Sequence, residues 1–242
     1  MISALDHIKL SVRDLKAATA ATERLLARSP TDATFQLDNM AFHLSPGEAE
    51  GLTGLAFEVA DIDAAFRACE RRALAPQGRD GSIDLALDAT FGTPITLIER
   101  ASKAAAAQAT AEGAVTGLDH VVIRTTHPNR AAALYGARLG LDMRLDRTEP
   151  KWGARLMFFR CGNLIVEIVH DLKNEPSDAP DILWGLSWRV ADADAANARL
   201  KQAGFDVSDI RTGRKPGTRV MTVRSSTCGV PTLLVQPSAK AG

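Results

Sequence analysis

The side chains best able to do chemistry are a histidine and a glutamate in the second half of the chain. His120 lies in the β-rich run 118–124, and Glu167 interrupts the apolar run 164–169. An ionised carboxylate among apolar side chains is costly unless a cation or strong hydrogen-bond donors face it. Glu167 therefore predicts a nearby partner. The candidates are a metal ion, His120, Arg124 and Arg155.

A pairing of His120 with Glu167 would suit acid–base catalysis or metal ligation. Strand alternation places His120 and Arg124 on one face of their strand. Histidine changes charge near neutral pH, so Glu167 is the expected base or ligand and His120 the expected acid or ligand. Arg124 would stabilise a developing oxyanion. The alternative is structural, with Glu167 in a buried ion pair and His120 bonded to a backbone carbonyl, and the residues alone leave both interpretations open.

Other polar and aromatic side chains suit a ligand in the same region. Arg155 and Ser187 could supply a cation and a hydroxyl to a carboxylate or carbonyl group. Trp152 lies in a polar segment that has no counterpart earlier in the chain, which favours either ligand contact or a loop anchor. Trp188 is expected in the core, since Phe57 fills the equivalent position of the first half.

Composition excludes several classes of partner. The 242 residues are 45% hydrophobic and 24% charged with zero formal net charge, so nucleic acid or an anionic membrane has no electrostatic support. No apolar run approaches the ~20 residues that span a bilayer.

The chain enters its first strand without the basic and apolar regions of a signal peptide. The three cysteines are far apart and form no C-x-x-C pair, as in a reducing cytosol. We expect a cytoplasmic protein, monomeric or homodimeric, whose partner is a small molecule.

The chain repeats itself, and the repeat predicts its architecture. Leu-Asp-His opens a strand at both 5–7 and 118–120, and Gly-Leu-x-aromatic-x-Val-Ala-Asp occurs at both 54–61 and 185–192. Helical patterns follow each of the four predicted first strands, with Asp14 and Asp61 as N-caps and Gly140 as a C′ residue. The expected helices span 15–26, 62–73, 131–139 and 193–203. The chain is thus predicted to be α+β, with an N-terminal domain at 1–100, an Ala-rich linker at 101–116 and a C-terminal domain at 117–238.

These motifs, in this order and twice over, resemble the vicinal oxygen chelate superfamily, which includes glyoxalase I, bleomycin-resistance proteins and extradiol dioxygenases. The resemblance covers nearly the whole chain and includes the helix at 131–141 and the strand at 162–167. It implies four βαβββ modules paired into two glyoxalase-like domains. The mixed sheets of this family curl into cups that hold the ligand or metal.

The resemblance also implies four metal-ligand positions in each domain. In the second domain these are His120, Glu167, Gly185 and Leu233, and in the first they are His7, His43, Gly54 and Thr96. Each domain therefore keeps two donors, whereas a catalytic divalent ion such as Zn, Ni, Mn or Fe takes three or more protein ligands. Any metal would complete its shell with water or substrate. The His-His-Glu triad of extradiol dioxygenases is broken, so that activity is disfavoured.

Two functions follow from the resemblance. The first is a glyoxalase-I-like lyase or isomerase that acts on a small oxygen-rich molecule in the C-terminal cup. The second is a metal-free binding protein of the bleomycin-resistance kind. The C-terminal domain is the expected working site because it keeps a histidine with a glutamate and has the longer loop, whereas the N-terminal domain is expected to be degenerate.

Overall fold

The computed structural model describes residues 2–78, 81–99 and 105–238, and it has the α+β architecture with two mixed sheets that the sequence predicts. The N-terminal elements are β1 (Ile2–Val12), α1 (Leu15–Leu26), β2 (Thr34–Gln36), β3 (Ala41–Pro46), β4 (Gly51–Val59), α2 (Ile62–Arg71), β5 (Pro76–Gln77), β6 (Ser82–Leu85) and β7 (Ile95–Glu99). Their sheet has the order β2-β3-β1-β4-β7-β6-β5, with β4 and β7 parallel.

The C-terminal half repeats this plan with a longer first module. Its elements are β8 (Val115–Arg124), α3 (Pro128–Ala132) continued by a π-helical segment (Ala133–Arg138), β9 (Asp142–Glu149), a 3₁₀ turn (Pro150–Trp152), β10 (Ala154–Cys161), β11 (Leu164–Asp171), β12 (Ile182–Val190), α4 (Ala193–Gln202), β13 (Arg211–Thr212), β14 (Arg219–Val223) and β15 (Thr232–Gln236). The sheet order is β13-β14-β15-β12-β8-β11-β10-β9. None of the described helices is long and apolar enough to span a bilayer.

The predicted helix caps are present. Asp14 accepts a hydrogen bond from the Ala17 amide at 2.9 Å, and Asp61 accepts one from the Ala64 amide at 2.7 Å. Each carboxylate satisfies an amide that would otherwise lack a partner in the first helical turn. The cap therefore sets where each helix begins.

The third helix differs from its prediction. It begins at Pro128 rather than at residue 131, because proline needs no amide partner in the first turn. It then widens into the π-helical segment, in which the Leu139 amide donates to the Leu134 carbonyl at 2.8 Å. Gly140, with φ of +77°, ends it in the left-handed conformation expected of a C′ glycine.

Three strands were not predicted, and the predicted linker at 101–116 ends earlier than expected, because β8 begins at Val115. The strands β5, β9 and β13 lack an apolar alternation, and β9 is charged and mostly exposed, so pairing with a neighbouring strand defines them. Residues 101–104 of the predicted linker lie outside the described residues, and 105–114 form no helix. Val115 already belongs to β8, where its carbonyl accepts from Arg28 Nε at 2.9 Å.

Contacts divide the chain into two compact units. Among the described residues, one contains 2–8, 53–78, 81–99 and 120–184, and the other contains 9–52, 105–119 and 185–238. Each unit draws on both halves of the sequence, and the predicted domain boundaries stay a prediction. In the second unit Trp188 is 1% exposed and meets Phe42 edge-on, with ring centroids 5.3 Å apart, which confirms its place in the core.

Candidate functional site

The structure brings His120 and Glu167 together. They lie on the adjacent parallel strands β8 and β11, where Ile165 is opposite His120 and Glu167 is opposite Val122. Alternation therefore puts both side chains on one face of the sheet. His120 Nε2 is 3.2 Å from Glu167 Oε2, and their side chains are 20% and 12% exposed. The pair is partly shielded from water and still reachable by a small molecule.

The strand that carries Glu167 has two unlike faces. Leu164, Val166 and Ile168 are buried, whereas Ile165 and Val169, on the face of Glu167, are half-buried. The face of Glu167 is therefore only partly covered, whereas the opposite face is buried. The half-buried apolar side chains stay partly accessible beside the carboxylate.

Apolar side chains flank Glu167 across the sheet. Phe158 on β10 is opposite Glu167, and Leu145 on β9 is opposite Phe158. With Val122 on β8, these residues form a cross-strand row in which Glu167 is the polar member. A carboxylate in such surroundings interacts more strongly with a proton donor or cation than it would in water.

Arg124 lies on the same face, near the end of β8. It is opposite Val169, two residues beyond Val122, and its side chain is exposed. Its guanidinium lies 5.0 Å from the centroid of the Trp184 ring, within the range of a cation–π contact. Arg124 is therefore held at the edge of the face that contains His120 and Glu167.

Arg155 lies on the opposite face of the sheet. Its cross-strand neighbour is His170, three positions from Glu167, so the two side chains point to opposite sides. Arg155 Nε and Nη2 donate to the two oxygens of Asp146 at 2.9 and 2.7 Å. This hydrogen-bonded pair lowers the pKa of Asp146 and raises that of Arg155. The structure thus does not place the predicted ligand-binding Arg155 beside Glu167.

The remaining predicted ligand contacts are divided between the two units. Trp152 forms the end of the 3₁₀ turn, is 37% exposed, and lies 5.6 Å from the guanidinium of Arg147. Ser187 is 3% exposed on β12, opposite Leu233, and belongs to the second compact unit. Trp152 is open to a ligand, whereas Ser187 is buried.

The ligand positions implied for a metal do not form a three-donor site. His7 Nδ1 is 2.6 Å from Asp6 Oδ2, and His43 Nδ1 is 3.3 Å from Thr34 Oγ1. Among residues 2–78, 81–99 and 105–238, no three His, Cys, Asp or Glu side chains lie close enough to hold an ion together. His120 and Glu167 provide two donors, and a catalytic metal takes three or more from the protein. The residues therefore do not fit a metal centre of the usual kind.

One buried polar cluster was not predicted from the sequence. The side chain of Asp181 is fully buried, and its Oδ1 accepts from Thr125 Oγ1 at 2.8 Å and from Arg130 Nη2 at 3.0 Å. Burial raises the pKa of Asp181, against the opposing effect of these two donors. Tyr135 is also buried, which raises its pKa. Asp181 follows a polar, Pro-containing segment that is typical of an exposed loop, so no pattern marked it as a core residue.

Comparison with known proteins shows which proteins the chain is similar to. Residues 119–222 match the model of the Glyoxalase/Bleomycin resistance protein/Dioxygenase superfamily. No curated protein matches the chain. The Mn(II)-bound glyoxalase from Novosphingobium aromaticivorans is 15% identical with a TM-score of 0.73, over 97% of this chain and 82% of that one.

Two dioxygenase structures are similar to the same extent. The 2,3-dioxygenase LapB from Pseudomonas sp. KL28 is 13% identical with a TM-score of 0.72, over 99% of this chain and 94% of that one. A catechol 2,3-dioxygenase is 15% identical with a TM-score of 0.70, over 100% and 90% of the two chains. At these identities the likeness is one of fold, and it does not select among the activities of the family.

Proposed function

We propose that this chain, which has the fold of the vicinal oxygen chelate superfamily, binds a small carbonyl compound and acts on it as an acid–base lyase or isomerase at His120 and Glu167. The observation that carries the proposal is the 3.2 Å approach of His120 Nε2 to Glu167 Oε2 on a half-buried face. A base and an acid in hydrogen-bond reach of one another can serve the same substrate.

The reaction needs only these two groups. Glu167 takes a proton from a carbon next to the carbonyl, and the electron pair of that C–H bond forms a C=C bond. The carbonyl oxygen gains the negative charge and takes a proton from the imidazolium of His120, which leaves an enol. In either ending, His120 takes back the enol proton and the C=O bond re-forms. An isomerisation is complete when the proton on Glu167 adds to a different carbon of a conjugated or hydroxylated substrate. In an elimination the β-substituent instead leaves with the electron pair of its bond to carbon. Positioned acid–base groups typically contribute about 10²–10⁴-fold to such a rate.

We assign no step of the reaction to a metal, because the site offers two protein donors and a catalytic metal takes three or more. The metal-free binding protein is the second candidate, and the same donor count favours it over the metal-dependent activities of the family. The two candidates share the ligand face and differ in whether Glu167 moves a proton.

The test combines metal analysis with hydrogen exchange. We expect substoichiometric metal in the purified protein, and exchange of the protons next to the carbonyl of a bound ketone with deuterium from solvent. Glu167→Gln should reduce this exchange about 10²-fold or more while Glu175→Gln, in an exposed loop, leaves it unchanged. Binding without Glu167-dependent exchange would support the binding protein instead. A stoichiometric metal that Glu167→Gln removes would contradict the metal-free mechanism.

A further inference from the structure

A row of four side chains crosses the sheet next to Glu167. Arg147 on β9 is opposite Leu156 on β10, Leu156 is opposite Val169 on β11, and Val169 is opposite Arg124 on β8. Cross-strand neighbours point to the same side, so all four share the face of Glu167. The row has a cation at each end and apolar side chains between them.

Sheet geometry sets the scale of this row. Neighbouring strands are about 4.8 Å apart, so the Cα atoms of Arg147 and Arg124 are separated by roughly 14 Å along the row. Successive rows are about 6.6 Å apart, which puts the Cα of Arg124 roughly 8 Å diagonally from that of Glu167. A long arginine side chain can thus hold one end of a small molecule whose reacting carbon lies at Glu167.

The two arginines differ in their availability. Each lies against an exposed tryptophan: Arg124 against Trp184, which is 40% exposed, and Arg147 against Trp152. Arg147 is already paired with Glu149. In the part of the chain that the structure describes, no carboxylate lies within ion-pairing distance of Arg124. Arg124 is therefore the cation left for an anionic ligand.

We infer that the substrate is a carboxylic acid with an apolar body. The carboxylate binds Arg124, and the apolar part lies on the half-buried side chains of Val169 and Phe158, beneath which Leu156 is buried. Guanidinium binds a carboxylate through two parallel hydrogen bonds, and the ring of Trp184 fixes the plane of that fork. A doubly charged phosphate would favour a second cation, whereas Arg147 is held by Glu149. The inference that the reacting carbon lies at Glu167 rests on the proposed function.

The test uses 4-oxo-4-phenylbutanoate and its neutral methyl ester as probes, with calorimetric titration of the full chain. We expect the acid to bind about tenfold more tightly than the ester, as for an exposed charge-assisted hydrogen bond. Arg124→Gln should remove that preference and leave ester binding unchanged. Arg144→Gln, an exposed arginine of β9 paired with Asp142, is the matched control and should keep the preference. Equal affinity for acid and ester, or an acid preference that survives Arg124→Gln, would overturn the inference.

A second variant and a second measurement distinguish a failure of the carboxylate inference from a failure of the proposed function. Trp184→Leu should weaken acid binding several-fold through loss of the cation–π contact, and thermal unfolding checks that each variant is folded. Deuterium exchange at the ketone reports on Glu167. Arg124-dependent acid binding without Glu167-dependent exchange would contradict the proposed function alone. Glu167-dependent exchange that is equal for acid and ester would contradict the carboxylate inference alone.

Discussion

Replacement of Asp181 tests whether the buried polar cluster stabilises the fold. The Asp181 side chain is fully buried, and its Oδ1 accepts hydrogen bonds from Thr125 and from Arg130, whose own side chain is 13% exposed. Asp181→Ala removes both bonds and leaves the nearly buried guanidinium with the Ala179 carbonyl at 2.9 Å and the exposed Asp178 carboxylate at 3.7 Å as its remaining partners. Loss of one partner of a buried ion pair typically costs about 3–5 kcal/mol of unfolding free energy.

Asp181→Asn is the matched variant, because it keeps the shape and an acceptor oxygen while it removes the charge. We expect it to cost about 1 kcal/mol or less, because the weaker bond of a neutral acceptor to the guanidinium is offset by the burial that already disfavours a charge at this position. Urea unfolding at pH 7 measures both values. A loss below about 1 kcal/mol for Asp181→Ala would contradict this expectation, because it would mean that Ala179, Asp178 or water satisfies Arg130 at little cost.

The raised pKa of Asp181 also predicts how the stability difference between wild type and Asp181→Asn changes with pH. Burial raises its pKa in the folded state above the unfolded value of about 3.9. A raised folded pKa contributes stability that is fully present below the unfolded pKa and is lost as pH rises through the folded one. The stability advantage of wild type over Asp181→Asn should therefore decrease as pH rises above about 4, and an advantage that increases would contradict this assignment.

Three further predictions concern other buried or paired groups. Tyr135→Phe should lower the unfolding free energy by less than about 1 kcal/mol or raise it, because the buried hydroxyl lies near Thr93 without forming a hydrogen bond of good geometry. A larger loss in urea unfolding would mean that the hydroxyl does have a hydrogen-bond partner. Asp146→Asn should cost at most about 1 kcal/mol, since the pair with Arg155 is partly exposed. Because the pKa of Asp146 is lowered in the folded state, the stability that the pair contributes should be present at pH 7. It should be lost as pH falls below about 4 and through the lowered pKa, which unfolding at several pH values would check. The Cys161 thiol, whose pKa burial raises to about 12, should resist alkylation at pH 8 until the protein is unfolded, and mass spectrometry of the native protein would detect any premature reaction.

Local patterns predicted the fold because each is a short-range physical effect. The predicted span of α1 is the observed one, since a capping aspartate and an Ala/Leu-rich stretch act within a few residues. The repeat predicted four modules and two sheets, and the likeness to solved structures confirms that fold. By contrast, β9 has charged residues at most of its positions and owes its conformation to pairing with β10, which no local pattern reveals.

The candidate site was predictable in part for the same reason. The apolar strand around Glu167 indicated that the carboxylate needs a partner, and His120 is that neighbour in the structure. The position of Arg155 depends on which residue of β10 is opposite Glu167, and a register is a long-range property. The position of Arg147 on the face of Glu167 likewise depends on strand register, and its strand, β9, was not predicted from the sequence.

A crystal structure of the full chain soaked with 4-oxo-4-phenylbutanoate tests the central claim, that His120 and Glu167 form the working site. We expect ordered ligand on this face, with the carbon next to the ketone about 3–3.5 Å from Glu167 Oε2 and the carboxylate on Arg124. A groove of about 680 Å³ against α1, lined by Leu15, Thr19 and Asp32 among others, offers a different place for a ligand. Ordered ligand in that groove, with none beside Glu167, would show that His120 and Glu167 are not the working site.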